Sequence, residues 1–210
     1  MHHKNFETIY AMLAEERTKV MGILNVTPDS FTNDGVFKNA EEAVSKALQI
    51  AERFIEQGAD IIDIGGESTR PDAVSVDMDS ELKRVIPVIR AIRDRFSIPL
   101  SIDTTKSEIA TEALIAGATI INDVSGLLLD PRMVEVVAQS GVPVVIMHSQ
   151  LAQTINQSDY HAPMNKSEAD ITACVANDLE RLAVHFISRG VRPCQIIIDP
   201  GIGFGKTPIQ

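Results

Sequence analysis

Six short apolar runs constrain this chain more than any other feature: VMGILNV (20–26), IIDIGG (61–66), LSIDTT (100–105), IINDVS (120–125), PVVIMH (143–148) and IIIDPG (196–201). Each is bounded by turn-forming residues, as strands are. Between them lie amphipathic stretches of helical period, among them 40–58, 79–96, 107–117 and 166–190, most of which end in glycine. Glycine is the usual residue just past a helix C-terminus because it takes the left-handed conformation freely. An alternation of strand and helix requires crossover connections and hence parallel strands, either in an open doubly wound sheet or in a closed (β/α) barrel.

The polar residues favour the barrel. Asn25, Asp63, Asp103, Asn122, Asp123, His148 and Asp199 all stand at or near the C-terminal ends of different apolar runs. In a barrel those ends converge on one mouth, whereas an open sheet gathers only the loops at its switch point. The first βα turn also reads NVTPDSF and not GxGxxG. The expected fold is a (β/α)8 TIM barrel in one domain over residues 1–210, truncated after the sixth strand, since a closed barrel takes eight.

A formal charge of -10 excludes a general nucleic-acid or anionic-membrane surface, which needs basic patches. Small anionic ligands remain compatible if local donors or a metal receive them. Cys174 and Cys194 are the only cysteines, too few for a disulfide framework. The N-terminal segment lacks a signal-type apolar core and no later stretch is long enough to span a bilayer, so a reducing cytoplasm is expected.

Chemistry is concentrated at the strand ends. Asp63 sits inside an apolar run, followed by two glycines, an acid, two hydroxyls and Arg70. A carboxylate in that setting costs several kcal/mol, roughly 2–7 for an uncompensated polar group, which argues for a site. Asp103 repeats the pattern. Its bland role, capping the next helix, is better filled by the T-x-x-E box of Thr105 and Glu108. Asn122 and Asp123 are adjacent on a strand, so one faces inward and the other outward. A carboxylate and a carboxamide together match the donor and acceptor edge of a flat heterocycle.

DPGIGFGKT (199–207) ends a strand in an acid and runs through glycines to Lys206. It lacks P-loop spacing, so it reads as a phosphate cradle or as a tight glycine turn, and not as an NTPase motif. His148 fits a base, a hydrogen-bonding residue or an ordinary strand terminus. Met147 suits packing against ligand or core. The polar segment 149–163 is long for a barrel loop, as a mobile cover would be.

Taken together, GILNVTPDSF, DIIDIGGESTRP, SIDTTK, IINDVSG, VVIMH and IDPGIGFGKT resemble, in order and spacing, the signature segments of the dihydropteroate synthases. The resemblance implies a transferase that uses Mg²⁺, usually as a homodimer. Such enzymes join a dihydropterin pyrophosphate to p-aminobenzoate in folate biosynthesis and release pyrophosphate. It carries Asn25 over as the metal contact and Asp103, Asn122 and Asp199 as pterin contacts, with Asp63 supporting the same floor; Met147, on its own residue type, is a further substrate-binding candidate. Thr69 and Arg70 fall at the family's pyrophosphate site, and Phe31, Pro71 and Phe204 where its loops enclose p-aminobenzoate. Asp103, Asp63 and Arg70 are the expected catalytic residues.

The chain departs from the family in three places. MHSQLAQ replaces an MHM-type segment, Asp72 stands where glycine often follows STRP, and the late Ser-x-Lys and Arg-x-His segments have no counterpart before Gln210. Two alternatives stand beside the synthase: a pterin-dependent methyltransferase with a related barrel, against which the TPDSF and ESTRP loops argue, and a non-catalytic pterin-binding protein, which the missing late segments favour.

Overall fold

A computed structural model describes residues 9–27, 40–68, 75–149 and 168–206. Its strands are β1 (Met21–Asn25), β2 (Ile61–Gly65), β3 (Leu100–Asp103), β4 (Ile120–Asp123), β5 (Val144–Met147) and β6 (Ile196–Asp199). All six expected strands are present, each within about two residues of its apolar run. Their hydrogen-bonded order follows the sequence, β1 to β6, and the β1–β2, β2–β3 and β5–β6 pairs are parallel. The helices are α1 (Ala40–Glu56), α2 (Met78–Arg95), α3 (Ser107–Ala116), α4 (Met133–Ser140) and α5 (Glu168–Ser188). The described residues cluster into two compact units.

The first unit holds β1 to β3, α1, α2, most of α3, and Ile120 and Ile121 of β4. Register partners in a parallel sheet share a face. One face carries Leu24, Ile62, Ile64, Leu100 and Ile102, each 1% exposed or less. That face meets helices: a methyl group on Gly22 would stand 2.6 Å from Cδ2 of Phe54 on α1. The absence of a side chain at Gly22 is what lets α1 lie this close.

The opposite face carries Ile23, Asp63 and Ser101 in one row, and Asn25, Gly65 and Asp103 in the next. The same period-2 alternation that buries the isoleucines thus puts every polar strand-end residue of this unit on the other side.

Helix α2 is capped by Asp77, whose carboxylate accepts the Ser80 N–H at 2.9 Å and the Ser80 hydroxyl at 2.7 Å. It buries Val85, Val88, Ile89 and Ile92 along one side, the 3–4 spacing of an amphipathic helix, and continues through Pro87. At the start of α3 the Ser107 N–H donates to Asp130 at 2.9 Å, an acid from outside the T-x-x-E segment.

The second unit holds Asn122 and Asp123, α4, β5, α5 and β6. Its lower end is tied by Gln195, fully buried in the single 3₁₀ turn (Pro193–Gln195) that precedes β6. The Gln195 amide donates to the carbonyls of Val137 and Val142, both at 2.9 Å, and its oxygen accepts the Arg192 N–H at 2.9 Å. A buried amide is tolerated only when bonded in this way. Among the described residues no helix is long and apolar enough to cross a membrane.

Candidate active site

In the first unit the site is built around a missing side chain. Parallel register places Gly65 between Asn25 and Asp103. A methyl group on Gly65 would lie 3.2 Å from the Asn25 Oδ1 and 3.4 Å from the Asp103 Oδ2. Glycine therefore leaves, between a carboxamide oxygen and a carboxylate oxygen, a slot that the side chain of any other residue would fill. Asp63 lies one row below, 2% exposed, beside the buried Ser101.

Helix α2 holds these strand ends from behind. Its Glu81, fully buried, accepts the Thr104 hydroxyl at 2.9 Å just past β3, and its Arg84 donates to the Gly66 carbonyl at 2.9 Å just past β2. A methyl group on Gly66 would stand 2.7 Å from Val85 and 2.8 Å from Glu81. The paired glycines of GGES thus do separate jobs: Gly65 opens the slot, and Gly66 admits the helix that steadies it.

The second unit carries the remaining strand ends. Asn122 is half-buried and Asp123 fully buried, on opposite sides of β4, as adjacent strand residues must be. Asp123 accepts the Ser125 N–H at 2.7 Å, which starts the turn through Gly126 and Leu127, both at positive φ. Burial pushes its carboxyl up to about 6, against the hydrogen bonds from Ser125.

Met147 is the register partner of Asp199. Asp199 accepts the Gly201 N–H at 2.7 Å and so shapes the first turn of the glycine loop, and Phe204 closes the next turn by donating its N–H to the Gly201 carbonyl at 3.0 Å.

His148 follows β5 and is 1% exposed. Its Nε2 lies 3.3 Å from Asp178 on α5, whose other oxygen accepts from Arg181 at 2.8 Å. Burial depresses the imidazole below its ordinary value and the Lys206 charge adds to this, with Asp178 opposing. A neutral ring that donates Nε2–H to Asp178 satisfies the geometry. Of the three readings open for His148, the hydrogen-bonding one describes what it does here. Asp178 was invisible to sequence reasoning, because it sits mid-helix with its partner 30 residues away.

Among the expected residues, Asn25, Asp63, Asp103, Asn122, Met147, Asp199 and Phe204 are described as above. Phe31, Thr69, Arg70 and Pro71 lie outside the described residues, as does most of the expected cover loop. Among the described residues, no three His, Cys, Asp or Glu side chains form a metal cluster.

Parallel strands with amides and acids at their C-terminal ends, held by helices on the other face, place the chain in a ligand-binding class of α/β proteins. Within that class the chain belongs to the pterin binding enzyme family, which it matches over residues 21–210. It is 44% identical to the dihydropteroate synthase of Bacillus subtilis over 197 residues, 94% of this chain and 63% of that protein. It is 46% identical to the dihydropteroate synthase of Synechocystis sp., covering 93% of this chain and 64% of that one. Among solved structures, Xanthomonas albilineans dihydropteroate synthase with 4-aminobenzoic acid superposes with a TM-score of 0.77 at 42% identity, over 91% of this chain and 64% of that one. The chain therefore spans a little under two thirds of the length of these relatives.

Proposed function

We propose that the protein containing this chain is a dihydropteroate synthase. It joins 6-hydroxymethyl-7,8-dihydropterin pyrophosphate to p-aminobenzoate, giving 7,8-dihydropteroate and pyrophosphate. The observation that carries this reading is the Asn25–Gly65–Asp103 row, in a chain 44% and 46% identical to two named dihydropteroate synthases.

In this reading the amine of p-aminobenzoate attacks the exocyclic methylene carbon of the dihydropterin. The carbon–oxygen bond to pyrophosphate breaks, the electron pair leaves with pyrophosphate, and the amine loses a proton. Asp103, Asn122 and Asp199 contact the pterin, with Asp63 and Met147 in support. Asp103 and Asp63 favour the positive charge that grows on the pterin as the leaving group departs. Thr69 and Arg70 receive the pyrophosphate, Arg70 offsetting its growing charge, while Phe31, Pro71 and Phe204 enclose p-aminobenzoate. These last assignments rest on the resemblance of the motifs.

Mg²⁺ suits the slot at Gly65. It prefers hard oxygen donors and takes one or two protein ligands, leaving its other positions to water and substrate phosphate. The Asn25 carboxamide oxygen would hold it, with the Asp103 carboxylate near at hand, and the ion would neutralise charge on the pyrophosphate. The reading also places the protein in the cytoplasm, in keeping with two free cysteines, and as a homodimer.

The test is turnover of the complete protein with dihydropterin pyrophosphate, p-aminobenzoate and Mg²⁺. Pyrophosphate release that depends on both substrates supports the synthase. Methyl transfer from methyltetrahydrofolate to a corrinoid, without pyrophosphate, would replace it with the methyltransferase, and pterin binding without turnover would replace it with a binding protein.

A further inference from the structure

The lysine of GFGK invites assignment as a phosphate ligand, but its ammonium group is already committed. Lys206 Nζ donates to three main-chain carbonyls: Gly201 at 2.9 Å, Phe204 at 3.2 Å and His148 at 3.3 Å. An ammonium group has three donors, and three acceptors occupy them. Two of those carbonyls belong to the loop after β6 and the third to the end of β5.

We propose that Lys206 is a positioning residue that folds the loop 201–206 into a closed ring and fastens it to the end of β5, thereby fixing Phe204 for p-aminobenzoate. The last clause rests on the synthase reading; the fastening itself does not.

Three further observations converge on the same ring. Gly201 has φ +66°, and a methyl group there would overlap the His148 carbonyl oxygen, so the loop passes against β5 with no space to spare. The Gly201 N–H is held by Asp199 at 2.7 Å, and the Phe204 N–H by the Gly201 carbonyl at 3.0 Å. Gly203 and Gly205 are also at positive φ, so the turn is built from residues that cost little to place there. Glycines in turn leave the loop with little intrinsic stiffness. A charged donor that gathers three carbonyls supplies the rigidity that glycine cannot, because hydrogen bonds from an ionised donor are the strong ones.

His148 connects this ring to the helix layer. Its carbonyl accepts from Lys206 while its ring bonds Asp178 on α5, so one residue links α5, β5 and the loop after β6. Lys206 is therefore withdrawn from the phosphate chemistry its motif suggests, and the anion must be received by other donors.

Two measurements on Lys206→Met and Lys206→Gln test the proposal in the complete protein. In hydrogen exchange, the Gly201 and Phe204 amides should exchange about tenfold faster in both variants, while the β5 and β6 amides of residues 145–147 and 197–198 keep their protection. In turnover, KM for p-aminobenzoate should rise about tenfold in Lys206→Met, while kcat and KM for the pterin pyrophosphate change less than about twofold. A role confined to stability would lower the melting temperature without that KM split. Unchanged loop exchange in either variant would overturn the fastening. Faster loop exchange with an unchanged KM for p-aminobenzoate would overturn the positioning of Phe204. Should the unaltered protein release no pyrophosphate, the synthase reading fails and the exchange measurement alone still decides the fastening. If Lys206→Met does not fold, Lys206→Gln, which keeps two donors and loses the charge, carries both measurements.

Discussion

Asn25 and Asp103 face each other across Gly65, each with an oxygen within 3.4 Å of the position a side chain on that glycine would take. The two residues are 78 positions apart in the chain and meet through two parallel registers, β1 on β2 and β2 on β3. Between them stands a glycine, so no side chain of β2 separates the two oxygens.

Gly65→Ala is therefore expected to leave the fold in place and close the slot. The backbone there is not in the left-handed region and the added methyl group is tight but not overlapping, so the melting temperature should move only slightly. Affinity for Mg²⁺ together with the pterin pyrophosphate should fall about tenfold, read by calorimetric titration; a loss of one positioned charge-assisted contact is about 1.5–3 kcal/mol, and partial displacement is less. Equal affinity in the two proteins would show that the slot holds no ligand.

Gly201→Ala should instead damage the fold. It places a methyl group onto the His148 carbonyl oxygen at a φ of +66°, where an L side chain is already strained. Overpacking and left-handed backbone together should cost about 2–4 kcal/mol. Denaturant unfolding checks this, and a loss under about 0.5 kcal/mol would mean that the loop does not pass against β5 as described.

Asp123 makes a pH-dependent prediction. Burial raises its carboxyl from 3.8 to about 6, so the folded chain holds this proton more tightly than the unfolded chain does. The stabilisation is then fully present below pH 3.8 and is lost as pH rises through about 6. Integrated over that window the loss is on the order of 3 kcal/mol. Asp123→Asn keeps the shape and removes the titration. The difference between the two proteins in urea unfolding should therefore change by a few kcal/mol between pH 4 and pH 7, in favour of the variant at the higher pH. A difference independent of pH would contradict the raised value.

How much of this was legible in the sequence follows from the range of each interaction. Strand positions were readable because β2 and β3 are apolar runs between glycine, proline and acid, and because alternation is a property of neighbours. The acids at strand ends stood out because Asp63 and Asp103 interrupt such runs. The supporting polar residues did not stand out. Glu81, Asp178 and Gln195 lie within helical or turn segments and look like ordinary polar positions. Their burial depends on partners 23, 30 and 58 residues away, which no local period reveals. For DPGIGFGKT the sequence left a phosphate cradle and a tight glycine turn both open, and the folded loop, which turns Lys206 onto the carbonyls of Gly201, Phe204 and His148, shows the turn. The different tasks of Gly65 and Gly66 required the register.

The most direct test of the pterin-site assignment is the rate of Asp103→Asn in the complete protein. This substitution removes the negative charge beside the Gly65 slot and nearly preserves volume. In this variant kcat should fall about 10²–10³-fold, the scale for losing one preorganised electrostatic group, with circular dichroism and melting temperature close to those of the unaltered protein. A folded Asp103→Asn protein that releases pyrophosphate at the unaltered rate would contradict the assignment.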